Sequence, residues 1–173
     1  MPLSETAQKN YTRMFGDFPP PLADSDPEFT RLFLDFALDE VPSQTKLDDR
    51  THFLTVLAAL MGCQGLDCFQ AMAPAALRSG LSPVELKELV YQGTAYLGLG
   101  RVLPFLKAVN EALTAAGVPL PLEEQGTTDP DSRLEAGNQA QVDIFGTHMR
   151  GFQNSGPQES RHINRWLAGN CFG

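Results

Sequence analysis

The side chains best suited to chemistry in this 173-residue sequence are its cysteines, Cys63, Cys68 and Cys171. A thiolate is a strong nucleophile near neutral pH, and two thiols can cycle through a disulfide. On one unbroken helix the five-residue spacing of Cys63 and Cys68 turns their side chains about 140° apart, too far for a bridge. Gly62 and Gly65 interrupt the helix between them, so the sulfurs can approach each other there. Cys68 stands near an expected helix N-terminus, whose dipole favours a thiolate, with Asp67 opposing it. The alternative is structural, because cysteines in an apolar stretch are often small core side chains.

Three histidines accompany them: His52, His148 and His162. His52 opens an apolar helix, where it either faces a pocket as an acid-base group or is held by structural hydrogen bonds. Tyr91, Tyr96 and Arg101 frame the glycine-rich run YQGTAYLGLGR. There Arg101 can grip a carboxylate by its planar fork with Tyr96 donating beside it, or the run is simply a helix-hairpin corner. No spacing of histidines, cysteines and acids makes a metal site, no Gly-x-Ser-x-Gly turn supports a hydrolase, and no glycine loop after a strand cradles phosphate. No metal or cofactor is expected.

The elements that must position these groups all read as helices. Asp26 and Pro27 start an amphipathic helix whose aromatic face carries Phe29, Leu32, Phe33 and Phe36, and the run VPSQTK ends it in a turn. Residues 48–63 are apolar on nearly every face and predict a central buried helix. Asp67 caps the next helix, which ends near Gly80, and Pro74 calls for a bend or a later start. Ser82, Pro83 and Glu85 form a capping box for a helix reaching Leu97. A last helix spans 101–116, with Pro104 expected in its first turn. Nothing alternates with period two, so the fold class is all-α, a helical bundle. A helical domain over 1–117, a linker over 118–130 and a remainder over 131–173 follow from the composition.

Hydrophobic residues at 42% and charged residues at 20% describe a globular chain, and a net charge of -8 with pI ≈ 4.8 disfavours nucleic acid. No apolar run is long enough to cross a membrane, the first residues lack a signal-peptide core, and a cytoplasmic location is expected. Three cysteines are too few for a disulfide scaffold, so any disulfide is expected to be transient.

At a constant offset of 130 residues the tail echoes the head: Phe15-Gly16 meets Phe145-Gly146, Pro27 meets Pro157, and Arg31 meets Arg161. The tail is thus either a partial second repeat or a set of C-terminal helices completing the core. Half a repeat cannot bury its own apolar face. Trp166, Leu167 and Phe172 are expected to dock on the first copy, another subunit or further chain.

Taken together, the buried helix ending in Gly-Cys, the helix closing on Ala-Leu and Ser-Gly, the capped helix and the long final helix over 48–117 resemble the carboxymuconolactone decarboxylase and alkylhydroperoxidase D-like family. The resemblance implies an all-helical subunit acting on a small molecule, in homo-oligomers, usually trimers or hexamers. Peroxidase members carry a Cys-x-x-Cys-x-x-x-His relay with an upstream Glu. Laid on this chain, its second cysteine is Cys68, its first falls on Gly65, its histidine on Met72 and its acid near His52 or Phe53. The departures alter both the resolving thiol and the base. The resemblance therefore implies Cys68 as attacking thiol, Cys63 as displaced resolving thiol and His52 as a proton carrier, served by a thiol reductant protein. Two other outcomes are decarboxylation of a small cyclic carboxylate held by Tyr96 and Arg101, and a non-catalytic binding or assembly domain.

Overall fold

The computed structural model describes residues 2–173, and among them are nine α-helices and no strand. The chain forms two compact units, one reaching to Leu120 and one of Pro121–Gly173. Residues 118–129 adopt no helix.

The first unit opens with α1 (Glu5–Phe15), which buries Ala7, Tyr11 and Met14 along one face. Ser4 caps it by accepting from the Ala7 N–H, while its own N–H donates to Asp35 at 2.8 Å and its hydroxyl to Asp39 at 2.6 Å. The start of α1 is thereby pinned to the next helix.

That helix, α2 (Pro27–Asp35), runs without a break through a π-helical turn, Phe36–Glu40, into α3 (Val41–Gln44). The turn expected at VPSQTK therefore comes later than read, at Thr45, where the backbone becomes extended. Pro42 lacks the N–H that would bond the Leu38 carbonyl in a regular helix, and Asn10 donates to that oxygen instead, at 2.7 Å. Asp26 occupies the N-cap position of α2 without a side-chain bond to the helix; its carboxylate accepts from the Ser25 hydroxyl. The aromatic face also points the unexpected way. Thr30, Leu34 and Leu38 form the stripe turned inward, leaving Phe29 at 62% exposure and Leu32, Phe33 and Phe36 more than half exposed.

Helix α4 (Asp49–Gly62) is capped by Asp48, which accepts from the Thr51 N–H at 2.7 Å. It is not the central buried helix. Only Phe53, Leu57 and Met61 are buried, one residue per turn, while Ala58 and Ala59 are exposed. Helix α5 (Leu66–Arg78) starts one residue before Asp67, which thus lies in its first turn with Gly65 at the cap position. The helix is continuous through Pro74, so the later start is excluded.

The capping box of α6 (Pro83–Leu97) is present as read, with Ser82 and Glu85 bonding each other's backbone N–H. Glu85 also pairs with Arg50, joining the first turns of α4 and α6. Helix α7 (Leu99–Ala115) begins two residues early, which puts Pro104 in its second turn; the missing donor leaves the carbonyl of exposed Gly100 to solvent. This is the most buried helix, through Val102, Phe105, Ala108, Val109, Ala112 and Leu113. Phe105 meets Phe69 of α5 edge-on, with ring centroids 5.1 Å apart.

In the second unit, α8 (Arg133–Phe145) ends at Gly146 and α9 (Arg161–Leu167) continues into a π-helical turn, Ala168–Phe172. That turn docks on α8 so closely that a Cβ on Gly137 would lie 1.8 Å from the Ala168 carbonyl oxygen. Phe172 packs edge-on against Phe145, and Trp166 is 61% exposed in the single chain. The order of helix, glycine, loop, helix and π turn is the same in both units.

Candidate functional site

Cys63, Gln64 and Gly65 make the corner between α4 and α5. The Gly65 N–H donates to the Leu60 carbonyl at 2.8 Å and the Gln64 N–H to that of Met61 at 3.1 Å, closing α4 on itself. Such a closure needs one residue with positive φ, and Gln64 supplies it at 60°, where a glycine is usual. Its amide donates to the Met61 carbonyl at 2.8 Å. The two glycines do not act as expected. Gly62 is the last helical residue with nothing near its missing Cβ; Gly65 has an ordinary φ of -80° and sits in a tight space, since a Cβ there would meet Leu60 at 3.2 Å and the Cys63 sulfur at 3.4 Å.

The corner leaves both cysteines exposed as free thiols. Cys63 donates to the Leu60 carbonyl at 3.5 Å. Cys68 is the third residue of α5, in the turn whose N–H groups have no helical partner. Met72 follows one turn later on the same face, half-buried, so a thioether stands where a relay would place an imidazole. Cys171 belongs to the second unit.

Beside Cys63 lies a cavity of about 340 Å³ between α4 and α6, lined by Ala58, Met61 and Gly62 on one side and Leu89, Gln92, Gly93, Tyr96 and Leu97 on the other. Its walls are mostly apolar, and Gly62 is its contact with the cysteine corner. Gly93 lets the helices close: a Cβ there would come within 2.4 Å of the Met61 methyl carbon. A glycine within an apolar helical run was its trace in the sequence. Tyr96 stands at the lip, 68% exposed. Arg101 is exposed, lies outside that lining, and makes no ion pair among the described residues.

His52 is not brought to the sulfurs. It sits in the first turn of α4 and Cys63 just past its end, eleven residues apart, or about 16 Å at the helical rise. Direct proton exchange between them is excluded at that separation. The described residues contain no group of three or more His, Cys, Asp or Glu arranged around a common point for a metal.

The sequence model of the carboxymuconolactone decarboxylase family matches residues 27–111, from the start of α2 almost to the end of α7. No curated protein and no solved structure matches the chain. The match takes in the cysteine corner, the apolar cavity, Tyr96 and Arg101, and leaves out α1 and the second unit. With this match spanning the helices that build the site, the chain belongs to the carboxymuconolactone decarboxylase family.

Proposed function

We propose that this chain is a thiol-dependent redox protein in which Cys68 attacks and Cys63 resolves. The observation that carries the reading is the corner itself: two free, exposed cysteines flank a strained turn beside an apolar cavity. The Cys68 sulfur attacks one peroxide oxygen of an organic hydroperoxide; the O–O bond breaks, an alcohol leaves, and Cys68 becomes a sulfenic acid. The Cys63 thiol then attacks that sulfur, the S–S bond forms and water departs. A thiol reductant protein supplies the two electrons that restore both thiols. With Met72 in place of an imidazole, protons pass to and from solvent at this exposed corner. Replacing Cys68 by Ser is expected to abolish dithiothreitol-supported consumption of tert-butyl hydroperoxide, and Cys63→Ser to leave a sulfenic acid that dimedone traps. Unchanged turnover in Cys68→Ser would overturn the assignment.

A second reading, decarboxylation of a small cyclic carboxylate, is favoured by Tyr96 at the lip of the apolar cavity, with Arg101 recruiting the acid. Turnover unchanged in both Tyr96→Phe and Arg101→Ala would remove it. Both readings place the chain in a homo-oligomer, supported by the exposed row of Phe29, Leu32, Phe33 and Phe36.

A further inference from the structure

A second cavity, of about 350 Å³, opens at the opposite end of α4 from the cysteines, between α1, the π turn with α3, and the first turn of α4. We propose that it binds a small monocarboxylate with a compact apolar body. Lys9, Asn10 and Arg13 present polar groups from α1, and His52 faces them from α4. Asp49 pairs with Arg13, fixing the guanidinium while leaving other N–H donors free. The Lys9 ammonium and the His52 imidazole have no hydrogen-bond or ion-pair partner among the described residues.

The charges choose the ligand. Lys9 and Arg13 against Asp49 leave one net positive charge, in a chain whose net charge is -8. A single carboxylate neutralises that excess, whereas a phosphate dianion would leave the cavity with an uncompensated negative charge. Buried Met14 and Leu38 give the cavity an apolar side, with Leu47 half-exposed among its lining residues, so it favours a hydrocarbon body over a polar one. The π turn shapes this wall, because the Leu38 carbonyl freed by Pro42 is taken by Asn10 and draws α1 and the turn together. Lys9, Asn10 and Arg13 are contributed by α1, which lies outside the residues that match the family.

Calorimetric titration of the full chain with benzoate, benzamide and inorganic phosphate tests the proposal. Benzoate is expected to bind at one site per chain, benzamide and phosphate at least about tenfold more weakly, and Lys9→Gln and His52→Ala each to weaken benzoate by about tenfold. Lys9 is exposed on α1, so its replacement leaves the fold intact. No benzoate binding, equal binding of benzamide, or benzoate affinity unchanged in Lys9→Gln would overturn it; the last would place the ligand elsewhere, as in the α4–α6 cavity.

Discussion

At Gln64 a long polar side chain occupies a backbone conformation that costs a non-glycine residue about 1 kcal/mol, between the two cysteines of the site. Gln64→Gly relieves that strain but loses the amide bond to Met61 and loosens the unfolded chain, losses of similar size, so a net change of no more than about 1 kcal/mol is expected in urea unfolding. Gly65→Ala is expected to destabilise, because its Cβ crowds Leu60 and Cys63. Gly93→Ala pushes the Met61 methyl into the apolar cavity; a loss of about 1 kcal/mol and a smaller cavity are expected, read by unfolding and by binding of an apolar probe. The cysteine corner was legible from the glycines around it, but not its mechanism. Nothing in the letter Gln announces positive φ, and Gly65 serves space where sequence reasoning assigned it freedom. The distance of His52 from Cys63 was legible in principle: eleven residues of one helix cannot fold back on themselves.

At the scale of elements, capping read best where two side chains cooperate. The Ser82–Glu85 box was visible because both partners sit at fixed positions, whereas lone Asp26 holds its N-cap position without a side-chain bond and Asp67 lies in the first turn, one residue past Leu66. The box also makes a pH prediction. The Ser82 N–H and hydroxyl, then the Arg50 guanidinium, pull the Glu85 carboxyl from 4.5 down to about 2. Its stabilising contribution is therefore complete above about pH 4.5 and disappears as pH falls toward about 2. Glu85→Gln is expected to flatten the fall in melting temperature across that interval; an unchanged acid profile would contradict the pairing. Burial was harder to read than helicity. Helix α4 is apolar all round and α2 has two apolar stripes, so periodicity alone did not decide which stripe faces inward. The fixed anchor of Ser4 on Asp35 and Asp39 decides it for α2, a contact between residues thirty-one and thirty-five apart that no local pattern reveals.

For the whole molecule, the all-α class and the family followed from the sequence, since the helices α4 to α7 each begin at a signal written in Pro, Gly, Ser or Asp. The row Phe29, Leu32, Phe33 and Phe36 is the molecular-scale feature that a single chain leaves exposed, and we propose that a homo-oligomer covers it. Phe33→Glu is expected to shift the mass in light scattering toward the monomer with the helical circular dichroism retained; an unchanged mass would count against that face. We place the domain boundary in residues 118–130, where limited proteolysis is expected to cut first. The shared order of helix, glycine, loop, helix and π turn supports reading the second unit as part of a second repeat.

The most direct measurement is the number of free thiols in the native protein before and after one equivalent of hydroperoxide, with the oxidised peptide mapped by mass spectrometry. The redox reading expects the loss of two of the three thiols and a peptide joined through Cys63 and Cys68. Three thiols remaining, or a disulfide involving Cys171, would contradict it.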